Sequence, residues 1–412
     1  MTAFFQADLR RLSSLRPPVL LLGGINLVRA LGLARIPAIV ASADPLAPAM
    51  ASRYCMGRCE LPPLAQREAV IERLLRAGNL LHDALGVRVP LFYGDDDHLG
   101  LVQDFRAALS RCFLLTLNNP PIGRALHSKA LFQALAQRRG LPLPRRLALE
   151  ELAAFAQPVL VKPKTKTAWD ESAVYRRLFE GAGKARVFES GAAVLKNPFV
   201  RQLSDRLQFQ EYVPGDDRAL WSFHGFATET SELLEWFIGR KIRTYPALTG
   251  DSSYLELAHD NELAALGREV VARIPLKGVF KIDFKRSAAS GRFYLLEVNA
   301  RFNLWHYLGA QNGVNLPQVA YDYMTTRARP RHVAARTQYR WLCPGLDYKA
   351  YRGLAARGEL GAVSWLASLA SPKVYDLFSW RDPGPFLSHL CRRARTILGR
   401  AVRALRWLST AS

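Results

Sequence analysis

Lys281-Ile282-Asp283-Phe284-Lys285 and, beyond the turn Ser287–Arg292, Tyr294-Leu295-Leu296-Glu297-Val298-Asn299-Ala300-Arg301 decide how this chain reads. The two runs have the pattern of paired strands joined by a hairpin. Alternation on the second run sends Glu297, Asn299 and Arg301 to one face while Leu296 and Val298 take the other. A hairpin partner brings Asp283 beside them. Two carboxylates and an amide oxygen suit magnesium, a hard cation that takes oxygen ligands and shares them with phosphates. Arg301 on that face could neutralise charge on a transferring phosphoryl group. The plainer alternative is a solvated strand face on which Arg301 pairs with Glu297.

Two lysines lie upstream. Ser128 caps a helix that begins at Lys129, and Lys162 ends the apolar strand Pro158–Pro163. A lysine at a buried strand end is costly without an anionic partner; the alternative is a side chain that snorkels to water. Between the lysines and the carboxylates runs Gln210-Glu211-Tyr212-Val213-Pro214-Gly215-Asp216-Asp217. An extended chain that turns at Pro-Gly leaves main-chain groups free to read a purine edge, with an acid just past the turn for ribose hydroxyls. Arg240-Lys241-Ile242-Arg243 follows a strand ending at Ile238 and is expected in a loop, where Arg240 and Arg243 could clamp a carboxylate bidentately. A solvated charge run is the alternative.

Together, in this order, these elements resemble the ATP-grasp superfamily, from about Leu126 to Tyr323. The resemblance implies that Lys129 and Lys162 hold ATP phosphates and that Gln210, Glu211 and Val213 read adenine. It makes Asp217 the ribose acid, Asp283, Glu297 and Asn299 the ligands of Mg2+ or Mn2+, and Arg301 the stabiliser of the phosphoryl intermediate. The segment Arg240–Pro246 is similar to a basic stretch of the carboxylate–amine ligases in that superfamily. One departure stands out. Family members carry a glycine-rich loop after the second lysine, whereas here Lys162-Pro163-Lys164-Thr165-Lys166-Thr167 has no glycine before Gly181. Lys164, Lys166 and the threonines could form an anion-binding lid instead.

The implied fold is α/β and α+β. A doubly wound α/β domain occupies residues 1–117, an ATP-grasp domain 118–330 with its lid at about 145–205, and a helical extension 331–412. Local signals agree. Val19–Leu22 between Pro17-Pro18 and Gly23-Gly24 reads as a buried parallel strand, Asn26 as the cap of the helix that follows, and Pro37–Val40 as a second strand. A helix is expected around Glu68–Ala84 and a strand at Val89–Tyr93, with Asn118-Asn119-Pro120-Pro121 as a breaker. Gly23-Gly24-Ile25-Asn26 lacks the GxGxxG spacing of a dinucleotide site.

With 412 residues, 49% of them hydrophobic and 22% charged, the chain has the composition of a multidomain globular protein and not of a disordered one. No run approaches a membrane span and no secretion signal is evident, so the cytoplasm is expected. Five scattered cysteines argue against a disulfide framework, and the pair Cys55/Cys59 lacks partners for zinc. The net charge of +22 fits either an anionic partner or a generally arginine-rich surface.

The expected activity is phosphorylation of a small-molecule carboxylate by ATP, followed by attack of an amine. Rivals are a bicarbonate-using carboligase like carbamoyl-phosphate synthase or biotin carboxylase, and a non-catalytic basic protein that meets an anionic membrane or nucleic acid, the latter disfavoured. The membrane version draws on the C-terminus. There Leu390, Ala394, Ile397, Leu398, Ala401, Leu405 and Leu408 share one helical face, opposite Arg392, Arg393, Arg395, Arg400, Arg403 and Arg406. The same face could pack on the protein instead.

Overall fold

Val19–Leu22 is buried at all four positions, as a strand must be when helices cover both faces of a parallel sheet. The computed structural model describes residues 4–164, 177–179 and 185–396. Its first sheet has the order β1–β4–β3–β2–β5–β6. The strands are β1 (Phe5–Ala7), β2 (Val19–Leu22), β3 (Ala38–Ser42), β4 (Cys55–Glu60), β5 (Val89–Tyr93) and β6 (Phe113–Leu114). All pairs are parallel except the edge pair β1–β4. The helix after β2 spans Ile25–Leu33 and is capped at Gly24, not Asn26. Asn26 already sits inside the first turn, where its side chain accepts from the Trp341 indole.

The second sheet, in the order β7–β10–β8–β9, contains β7 (Arg146–Leu147), β8 (Val159–Pro163), β9 (Arg186–Phe188) and β10 (Leu207–Glu211). Val159, Val161, Leu207 and Phe209 pack into a core of their own. The opposite face carries Lys162 beside Gln208 and Leu160 beside Gln210. Because β10 pairs with β8, this sheet runs to Glu211, past the lid bounds of about 145–205 expected from the sequence. Thr165, Lys166 and Thr167 lie outside the described residues.

The third sheet has the order β15–β14–β11–β12–β13–β16–β17. Its strands are β11 (Leu220–Ala227), β12 (Leu233–Tyr245), β13 (Asp251–Ala258), β14 (Gly278–Arg286), β15 (Phe293–Asn299), β16 (Arg340–Leu342) and β17 (Lys373–Tyr375). The helix Asn261–Arg273 lays Leu263, Val270 and Val271 on Phe223, Phe280 and Ile282 of this sheet. Two expectations change here. β12 continues to Tyr245, so Arg240 and Arg243 stand on a strand and not in a loop. The segment after residue 330, expected as a helical extension, carries strands as well. Its helices Pro344–Ala356 and Ala362–Ser368 are present, but β16 and β17 lengthen the sheet past β13. An unpaired strand edge leaves donors and acceptors that need partners, and these strands supply them.

The C-terminal segment is also rooted in the first domain. Arg29, fully buried, donates to Asp382 at 3.0 Å, and Asp382 accepts further from Ser52 and the Arg53 amide. A helix follows at residues 384–396; Ile397, Leu398, Ala401, Leu405 and Leu408 lie outside the described residues. Among the described residues no helix is long and apolar enough to cross a membrane.

Candidate active site

Asp283 and Glu297 are direct partners across the β14–β15 ladder, so both carboxylates lie on one face of the sheet. Asn299 joins them, donating its amide to Asp283 at 3.2 Å and to Glu297 at 3.0 Å. Lys281, on the same face of β14, reaches Asp283 at 2.7 Å. Burial pushes the Asp283 carboxyl up, against the pull of Lys281. Glu297 is exposed to solvent. Partial desolvation by its neighbours opposes its ionisation, but Lys281 and the Asn299 hydrogen bond prevail and hold it down to about 2. Among the described residues no three His, Cys, Asp or Glu side chains gather into a metal site. The oxygen set is therefore two carboxylates and an amide whose oxygen can turn inward. That set fits magnesium, which binds through one or two carboxylates and keeps the rest of its shell for water and phosphate.

The lysines face this cluster from the lid side. Lys162 donates to Gln210 at 3.0 Å. Burial lowers its pKa to about 8, with repulsion from Lys129 in the same direction and attraction from Glu297 against it. The two lysines and Glu297 thus lie near enough to share one electrostatic field. Lys129 bonds to the Pro163 carbonyl at 3.2 Å, and Ser128 caps its helix as expected.

Sequence reasoning assigned no role to three further cations, Lys281 among them. Lys241 of β12 feels Asp283, Glu297 and Asp217, with burial lowering its pKa. Lys285 is buried, lowered to about 8 by burial, and stacks its ammonium on Tyr212 at 4.2 Å. Lys281 and Lys285 were within reach of the alternation that selected Asp283. Lys241 had no local signal, because β12 was expected to end before it.

At the hinge, Glu211 donates its N–H to Arg145 and Tyr212 to Pro158. The Val213 N–H makes no hydrogen bond among the described residues, which leaves one main-chain donor for a base edge. Gly215 has φ +139, and a Cβ there would meet Ala219 at 2.5 Å, so the turn requires glycine.

Three expected residues are engaged elsewhere. Asp217 is buried and accepts from the Thr244 amide and hydroxyl and from the Leu248 amide; it ties down the end of β12 instead of presenting an acid to ribose. Arg243, 4% exposed, makes a bidentate pair with Asp347 at 2.8 and 2.9 Å, which occupies its fork. Arg240 is paired with Glu256 and lies over Trp221. Each correction has one cause: long β12 carries Arg240, Arg243 and Thr244 onto partners that neighbouring elements supply.

Arg301 is held by Asp96 of the first domain at 2.6 and 3.1 Å. It does not pair with Glu297. His224 and His306 are fully buried, and burial depresses both, His306 to about 3; neither is placed as a base. A groove of about 710 Å3 beside the lid is lined by Gln133, Arg146, Lys164 and Gln208 among others. It contains none of the carboxylates, so the charged side chains locate the chemistry and the cavity does not.

Solved structures share this architecture. The biotin carboxylase domain of Hydrogenobacter thermophilus 2-oxoglutarate carboxylase, in complex with MgADP, ADP and bicarbonate, aligns with a TM-score of 0.56 at 12% identity over 79% of this chain and 73% of that one. An L-amino acid ligase from Bacillus licheniformis aligns with a TM-score of 0.51 at 14% identity over 74% and 73%. At such identities the likeness is one of fold. In sequence as well as in fold the chain is similar to the ATP-grasp superfamily. More narrowly, the family described as "ATP-grasp in the biosynthetic pathway with Ter operon" matches residues 233–342. The D-aspartate ligase of Enterococcus faecium is 21% identical over 291 residues, 67% of this chain and 68% of that protein.

Proposed function

We propose that this ATP-grasp enzyme joins a small-molecule carboxylate to an amine through an acyl phosphate. The observation that carries the reading is the single face on which Asp283, Glu297 and Asn299 converge opposite Lys162. Lys129 and Lys162 position the triphosphate, and the Val213 N–H reads the base. Asp283, Glu297 and Asn299 are the residues to hold Mg2+, or Mn2+ by the same oxygen chemistry. Such an ion supplies neutralisation of charge on the phosphates.

A carboxylate oxygen of the substrate attacks the γ-phosphorus as the bond to ADP breaks. Charge shifts onto oxygens that Lys281, Lys241 and Arg301 face, and this preorganised field lowers the barrier. The amine then attacks the acyl carbon, phosphate departs with the electron pair of the C–O bond, and the amine loses a proton to solvent or phosphate. With Arg240 and Arg243 engaged by acids, the substrate carboxylate falls to Lys241 on β12, which lies in the field of Asp283 and Glu297. The D-aspartate ligase and L-amino acid ligase relatives are consistent with an amino acid on one side of the bond.

The test is a phosphate-release screen with ATP, magnesium, and panels of carboxylates and amines, with hydroxylamine as a trap. Equimolar ADP and phosphate that require both partners, and a hydroxamate when hydroxylamine replaces the amine, support the reading. Turnover with bicarbonate alone would shift the assignment to the carboligase.

A further inference from the structure

The chain from Trp380 onward presents an apolar, cationic surface that the ligase reading leaves unused. Trp380 is 89% exposed, although it touches Phe378, whose ring also meets Phe386 at the start of the helix 384–396. On that helix Leu387, Leu390, Cys391 and Ala394 fall within one face, and all four are exposed, Leu387 by 54% and Leu390 by 44%. A helix that served the fold would turn this face inward. Here the protein instead grips the root, through buried Asp382, and one flank, through Arg392 and Asp44 at 2.9 Å. Arg381, Arg393 and Arg395 stand exposed around the apolar face. From 384 to 412 the sequence contains six arginines and no acidic residue.

We infer that this element docks the enzyme on an anionic lipid surface. The apolar side chains enter the headgroup boundary and the arginines meet acidic headgroups. Charge selects this occupant over a second copy of the chain, because pairing two such faces would bring like-charged arginines together with no acid to offset them. Charge also selects it over nucleic acid, which satisfies arginines but leaves Trp380, Leu387 and Leu390 in water.

The inference stands apart from the catalytic assignment and is tested without turnover. The full chain is sedimented with vesicles of phosphatidylcholine, and with vesicles in which about one third is phosphatidylglycerol. Binding to the anionic vesicles alone is expected. The double variant Leu387→Ser/Leu390→Ser and the variant Trp380→Ser should each weaken it about tenfold or more. Arg393→Glu/Arg395→Glu should weaken it at least about fivefold per arginine reversed and reduce its salt dependence. All of these positions are exposed, and unchanged melting temperatures verify the fold. Equal binding to neutral vesicles, or no binding, overturns the inference. So does a wild-type dimer that the serine variant dissociates, or DNA binding that survives the serine variant.

Discussion

Arg301, just past the end of β15, is clasped by Asp96 at the start of a helix of the first domain, through bonds of 2.6 and 3.1 Å. The arginine beside the carboxylate cluster is thereby aimed from another domain. Asp96→Asn keeps the shape but gives up the charge and one acceptor. Turnover is expected to fall about tenfold to a hundredfold through misplacement of Arg301, with the KM for ATP nearly unchanged. Steady-state ADP release measures both, and an unaltered kcat would show that the clasp serves only the domain interface.

Glu297→Gln preserves volume and removes the anion, and Lys162→Ala removes the cation that faces it. Each should lower ATP turnover by about a hundredfold or more. Circular dichroism should still report a folded chain, because Glu297 is exposed and Lys162 is a strained cation in its site. Wild-type ADP release in either variant refutes the placement of ATP in this cleft.

Lys241→Met should reduce kcat about tenfold while leaving the melting temperature equal or higher. Burial disfavours the ammonium, so replacing it with an apolar side chain removes a desolvation cost. A variant that unfolds instead would assign Lys241 to the core.

Lys162 has a folded pKa of about 8 against an ordinary 10.5. The unfolded chain therefore holds this proton more tightly than the native one, and stability from this group rises as pH climbs from about 8 toward 10.5. Phosphate binding runs the other way, since it needs the ammonium. kcat/KM for ATP should decline above pH about 8, while Lys162→Arg, always charged, moves that limb upward. A flat profile to pH 10 in the wild type would contradict the lowered pKa.

Arg243 and Asp347 form a buried bidentate pair at 4% and 1% side-chain exposure. Removing one partner strands the other charge, so Arg243→Ala should cost about 3–5 kcal/mol of stability. Arg243→Lys cannot reproduce the fork and should also destabilise. Urea unfolding measures this, and full stability with a raised KM for the carboxylate substrate would restore Arg243 to the site.

The carboxylate cluster was legible because it depends on short-range order alone. Asp283 pairs with Glu297 across one hairpin, and period-two alternation puts Asn299 with them. Lys129 was legible through its Ser128 cap, and Lys162 through the cost of a lysine at the end of an apolar strand. The strand β12 was misjudged in extent, because Gly239 and the polar run from Arg240 look like a strand's end. In the fold that run pairs with β13 as far as Tyr245, while β11 flanks it only at Arg240.

Local pattern thus determined the element types, the hairpin and the oxygen set, since each depends on neighbours within a few tens of residues. Partner choice was decided only by the tertiary structure: Arg243 with Asp347, Asp217 with Thr244, Arg301 with Asp96, and the outward face of Leu387 and Leu390. A guanidinium or a carboxylate pairs with whatever counter-charge the folded chain brings within about 3 Å, and sequence distance carries no information about that approach.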